Sequence, residues 1–102
     1  MACLSAKTMA HMEIAARFGE NLARCRKAAG ISQEELGFLA SLHRTEIGML
    51  ERGARLARLD TLIKLRGALG VSADDLLDGL DWTPSDPRIG QFTVRDDSPE
   101  LN

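Results

Sequence analysis

Much of what would place this chain of 102 residues in a broad class of proteins is missing from it. No run of apolar residues approaches the roughly 18 needed to span a bilayer. The opening residues, MACLSAKTMAHME, lack the long apolar centre of a secretory signal. These absences point away from a membrane and toward the cytoplasm. The two cysteines, Cys3 and Cys25, form neither a close pair nor a ligand-spaced cluster. Cys25 falls on the apolar face of a predicted helix, where a reduced thiol behaves as a small hydrophobe. His11 and His43 are equally isolated, with no second ligand at metal spacing, so zinc is unsupported. There is no paired carboxylate set for acid-base work, no nucleophile beside a base and no phosphate-binding loop. Neither enzyme chemistry nor a cofactor is therefore expected.

What is present is an apolar share of 44% and a length that suits one domain around one core. The net charge of -2 conceals two opposite parts. Residues 1–70 hold eleven Lys or Arg against seven Asp or Glu, a net +4, whereas residues 71–102 hold two against eight, a net -6. Charge position sets the local field, and a basic helical region followed by an acidic tail suits an anion-binding surface on the first part.

Apolar periodicity organises the chain. Ile14, Phe18, Leu22, Cys25 and Ala29 recur at the spacing of one helix face, which predicts a first helix over 11–29 that stops at Gly30, with Ile31 as the contact that seals the stop. Ser32 followed three residues later by Glu35 is a capping-box pattern and starts a second helix over 33–40. Ser41 and Leu42 make a turn. A third helix runs from about 43 or 44 to Arg52 and ends at Gly53, its cap weakened because His43 is a poor N-cap residue. It points Ile47 and Leu50 inward and a stripe of Arg44, Thr45, Gly48, Met49 and Arg52 outward. Residues 54–58 form a basic loop. Leu59, Leu62, Ile63, Leu65 and Leu69 mark a fourth helix closed by Gly70, and Ser72 caps a short fifth helix buried by Leu76 and Leu77. Beyond it Pro84, Pro87 and Gly90 break any helix, and residues 91–95, QFTVR, alternate as a strand does. A single strand is not stable by itself, so this one pairs with another chain, lies against the helical body, or stays without order. The expected layout is a flexible segment over 1–10, a helical domain over 11–79, and an extension over 80–102 with an acidic tail.

This order resembles the phage repressor and Cro family of helix-turn-helix proteins, also called the XRE family. The likeness runs without a gap over about sixty residues, 18–77. Its landmarks are Ser32, Gln33, Glu34, Glu35 and Leu36 opening helix 2, and Ile47 with Leu50, Glu51, Arg52 and Gly53 in helix 3. Leu59, Asp60, Thr61 and Leu62 open helix 4, and Ala68, Leu69, Gly70, Val71 and Ser72 lead into helix 5. Several positions depart from the family pattern: His43 replaces a small hydroxyl cap, Gly37 an alanine, Ser41 a turn glycine, and Ala57 with Arg58 a proline and a hydroxyl residue.

The resemblance implies an all-α, five-helix, lambda-repressor-like domain with a C-terminal extension that has room for one short β-strand. It implies a regulator, a repressor, that binds double-stranded DNA with helix 3 in the major groove. Base contacts would fall to Arg44, Thr45 and Met49, with His43 and Gly48 alongside. Phosphate contacts would fall to Gln33 and Ser32 at the start of helix 2 and to Arg52, Arg55 and Arg58. A structural ion pair would join Arg26 to Glu51. Two copies reading a palindromic operator imply a homodimer, and its surface is expected in Leu77, Leu80, Trp82, Ile89, Phe92 and Val94, more apolar than so short a segment needs for itself. The alternative is an antitoxin or other protein-binding module whose acidic extension engages a partner protein.

Overall fold

The computed structural model describes residues 6–84 and 90–95. Helix α1 spans Ala6–Ala28, α2 Gln33–Ala40, α3 Arg44–Glu51, α4 Leu59–Leu69 and α5 Ala73–Leu76, followed by strands β1, Leu80–Thr83, and β2, Gln91–Val94. Helix α1 begins at Ala6, earlier than its apolar periodicity predicts and inside the segment read as a tail. Ala, Lys and Met there are good helix formers, with no glycine or proline to interrupt them.

The helix stops follow local chemistry. Gly30, at φ 74°, donates its amide to Lys27 O and Ile31 donates to Arg26 O, while the Ile31 side chain packs on the core; this is the Schellman arrangement. The α2 capping box is complete, Ser32 Oγ accepting from the Glu35 amide at 3.0 Å and the Glu35 carboxylate from the Ser32 amide at 2.7 Å. Ser72 and Asp75 repeat the arrangement at α5.

Phe18 and Leu22 of α1, Leu36 and Ala40 of α2, Ile47 and Leu50 of α3, Leu65 of α4 and Leu76 of α5 form one core. Each large side chain removed from water there contributes on the order of 1.5–3 kcal/mol. Two glycines let the helices close on it. A Cβ at Gly19 would collide with the carbonyl oxygens of Leu50 and Glu51, and one at Gly37 with the Leu42 carbonyl. Backbone thus meets backbone where α1 crosses the end of α3 and where α2 meets the turn. The α4 stripe is only partly inward: Leu65 is buried and Leu62 and Leu69 are half-buried, but Leu59 and Ile63 are 72% and 59% exposed.

The extension corrects the sequence-based expectation of a lone strand. Its partner lies in the same chain: β1 and β2 pair antiparallel, with Leu80 opposite Val94 and Trp82 opposite Phe92. The hairpin is fastened to α1 by two polar side chains. Arg17, 8% exposed, donates through Nε to Asp78 O at 3.1 Å and through a terminal nitrogen to Arg95 O at 2.7 Å. Asn21, fully buried, donates to Leu76 O and Asp78 O, both at 2.9 Å.

The turn between α2 and α3 carries the one strained residue. Ser41 sits at φ 57°, the only non-glycine with positive φ among the described residues. A Cβ in that region costs about 1–2 kcal/mol, offset in part by the greater freedom glycine has when unfolded. Ser41→Gly is expected to stabilise the fold by about 0.5–1 kcal/mol, seen as a rise of a few degrees in thermal unfolding followed by circular dichroism. A lowered melting temperature would contradict it.

Candidate nucleic-acid interface

Helix α3 has a buried side and an outward side. Ile47 and Leu50 are 0% and 1% exposed, while Arg44 and Thr45 are exposed and Met49 is half-buried. His43 proves to be a working cap: its Nδ1 accepts the Thr45 amide at 3.0 Å, doing for α3 what a hydroxyl does in other helices. Gly48, expected on the outward stripe, is instead buried: the side chains of Arg52 and Gln33 cover it, standing 3.1 Å (Nη1) and 3.8 Å (Oε1) from where a Cβ would be.

The inner end of α3 is tied to α1 by charge. Arg26 donates to both Glu51 oxygens, from Nε at 2.6 Å and from Nη2 at 3.1 Å, and its third nitrogen donates to Ile31 O at 2.9 Å. The two side chains are 12% and 8% exposed. Gln33 adds a third bond, from Nε2 to Glu51 Oε1 at 2.9 Å. Burial by itself pushes the Glu51 carboxyl up, but the hydrogen bonds from Arg26 and Gln33 and the charges of Arg26 and Lys27 outweigh it and lower its pKa. The hydrogen bond to Glu51 raises the pKa of Arg26 further above its ordinary value.

At the start of α2, Ser32 Oγ is engaged by the Glu35 amide, and Leu36 donates to Ser32 O. The amides of Gln33 and Glu34 are left without a partner among the described residues, as at any helix start. Of the basic residues, Arg44 and Arg52 have no acidic partner within 4 Å among the described residues, whereas Arg55 pairs with Glu46 at 3.0 Å and Arg58 with Asp60 at 3.3 Å. Arg55 and Arg58 are 48% and 82% exposed, and pairs this exposed are worth roughly 0–1 kcal/mol, little hindrance to exchange for another anion. Among the described residues no His, Cys, Asp and Glu cluster could hold a metal ion, and no helix is long and apolar enough to cross a membrane.

The apolar surface of the extension is partly spent on the molecule itself. Leu80 packs against the core, and Leu77 and Leu80 line a groove of about 240 Å³ with Ile14, Leu56, Leu59 and Leu62. Trp82 and Phe92 meet edge to face at 4.9 Å between ring centroids yet stay 53% and 47% exposed. Val94 is half-buried opposite Leu80. Ile89 lies outside the described residues. Sequence reasoning missed Arg17 and Asn21, whose signal was polar residues four apart beside the apolar face of α1, and Glu46, which holds Arg55.

The bidentate geometry at Arg26 has a measurable consequence. Removing one partner of a buried pair costs about 3–5 kcal/mol, whereas Arg24, 55% exposed and 3.9 Å from Asp78, is in the surface regime of roughly 0–1 kcal/mol. Arg26→Ala is therefore expected to lower the melting temperature well beyond Arg24→Ala; equal effects would refute the role given to the pair. The folded pKa of Glu51 lies below its unfolded value of about 4.3, so this stabilisation is complete above that value and is lost as pH falls through the lowered one. The stability gap between the native protein and Glu51→Gln should accordingly close in acid.

Comparison with known proteins agrees with this geometry. The helix-turn-helix family model matches residues 22–76. The control protein C.BamHI of Bacillus amyloliquefaciens is 45% identical over 62 residues, 60% of this chain and 76% of that protein. The crystal structure of the restriction-modification controller protein C.AhdI from Aeromonas hydrophila superposes with a TM-score of 0.63 at 39% identity, over 65% of this chain and 96% of that one. The P22 c2 repressor, solved in complex with a synthetic operator, superposes with a TM-score of 0.57 at 32% identity, over 61% of this chain and 94% of that one. With a family match that spans α2 and α3 and runs to the end of α5, the chain belongs to the helix-turn-helix family, in its repressor and Cro (XRE) branch.

Proposed function

We propose that this protein is a sequence-specific double-stranded DNA-binding transcriptional regulator, a repressor, that binds a palindromic operator as a homodimer. The observation that carries the reading is the two-sided character of α3. Its inner side is locked by Ile47, Leu50 and the Glu51 pair, while its outer side presents Arg44, Thr45 and Met49, with Arg44 and Arg52 uncommitted to any acid among the described residues. An α-helix so mounted fits the major groove. Arg44 stands at the first turn, where a guanidinium can bond both acceptors of a guanine edge, and Thr45 and Met49 can meet a thymine methyl. His43, beside them, holds the helix start in place.

Phosphates flank this surface on both sides. The two unpartnered amides at the start of α2, with the Ser32 hydroxyl and Gln33 next to them, form a helix N-terminus open to an anion. Arg52, Arg55 and Arg58 supply the charge on the other side. Such backbone contacts set affinity and its salt dependence, not sequence choice. Twofold symmetry supplies the second half-site, about 34 Å away along the duplex. For the dimer surface the strongest support is the aromatic pair of the hairpin. Trp82 and Phe92 form an exposed apolar pair on the same side of the hairpin as Leu80 and Val94, of the kind that monomers seldom expose.

Selection of bound sequences from a random DNA pool tests the first part. The native protein should yield a palindromic consensus. Arg44→Ala should relax choice at one base pair per half-site at a cost of about 1–3 kcal/mol, and a uniform loss across sequences would reduce Arg44 to a phosphate contact. Light scattering of the double variant Trp82→Glu, Phe92→Glu tests the second part. A monomer with unchanged helix content is expected, and an intact dimer would remove the hairpin from the interface.

A further inference from the structure

Gly48 is the gap in the α3 stripe, and two side chains from elsewhere close it. Arg52 reaches back over it and Gln33 reaches across from α2, its Oε1 standing 3.8 Å from where a Gly48 Cβ would be. The Gln33 amide is not free to turn. Its nitrogen donates to Glu51 Oε1 at 2.9 Å, and that carboxylate, already held by two Arg26 nitrogens, can only accept. The carbonyl oxygen is therefore the side-chain atom left without a partner among the described residues, and with Arg52 it covers the buried Gly48.

An acceptor so placed is poorly matched to phosphate, which offers acceptors only. It matches a base edge that carries a donor. On the reading of α3 as the groove-facing helix, we infer that the Gln33 side chain is a base-reading group, accepting a hydrogen bond from an exocyclic amine in the major groove, N6 of adenine or N4 of cytosine. The Arg26–Glu51 pair is then its positioning element, and the α2 amides, not the Gln33 side chain, meet the phosphate. Read this way, Gly48 makes room for a borrowed side chain.

The test starts from the consensus selected by the native protein. Gln33→Ala should lose preference at one base pair per half-site, by about tenfold, and keep the salt dependence of binding unchanged. A DNA-side measurement on the native protein avoids any question of folding: replacing the base at that position with an analogue lacking the exocyclic amine should weaken binding by a similar factor. The same replacement should leave Gln33→Ala indifferent. An unaltered consensus for Gln33→Ala, or a uniform loss at every sequence with a shallower salt slope, would overturn the inference and return Gln33 to the backbone. Failure of the native protein to select any consensus would instead overturn the DNA-reading function on which the inference rests.

Discussion

The bond from Arg26 to Glu51 is the constraint on which the rest of the surface depends. Helix α3 has eight residues, too few to hold its shape in water, where isolated helices under about 12 residues are marginal. Two apolar side chains fix its inner side, but they would allow it to slide or roll. The bidentate pair, closed over by the Gly19 contact with the Leu50 and Glu51 carbonyls, fixes its axial position against α1. The same pair neutralises a carboxylate beside the outward side of α3 and locks the amide of Gln33. One buried acid thus sets the helix, the field and a neighbouring side chain together.

A second polar attachment acts near the middle of α1. Arg17 and Asn21 donate to the carbonyl oxygens of Leu76, Asp78 and Arg95, so the chain entering β1 and the chain leaving β2 are both fixed to the helical body. A two-stranded sheet is barely stable in isolation, and this anchoring is what lets one exist here. The family match ends at residue 76, before the hairpin. The extension therefore lies outside the matched region, hydrogen-bonded to α1 and with Trp82 and Phe92 about half exposed.

What could be read from the sequence was local. Capping boxes at Ser32 and Ser72 and positive-φ glycines at 30, 53 and 70 act within a few residues, and they mark the helix limits. The early start of α1 was hidden because its first turns lack an apolar face, although their residues favour helix. His43 was undervalued because an imidazole acceptor is a rare cap. Strand β1 was not legible: LDWT is four residues long and follows a helix end, and only pairing with the later segment Gln91–Val94 makes it a strand. The exposure of Leu59 and Ile63 was hidden for a similar reason, since periodicity gives a stripe but not which of its edges a neighbour covers. In the candidate site, residue types and spacing marked the outward stripe, but the turn of the Gln33 amide and the pairing of Arg55 with Glu46 needed coordinates.

The central claim is that the face formed by the start of α2, the outer side of α3 and residues 54–58 meets DNA. Its most direct test is a titration of nitrogen-labelled protein with a short duplex at low salt, followed residue by residue by nuclear magnetic resonance. The account predicts that the largest shifts fall on the amides of Gln33, Glu34, Arg44, Thr45, Gly48, Met49 and Arg52 and on residues 54–58, while those of β1 and β2 move little. Shifts centred on the hairpin or on α5, with α3 unmoved, would contradict it.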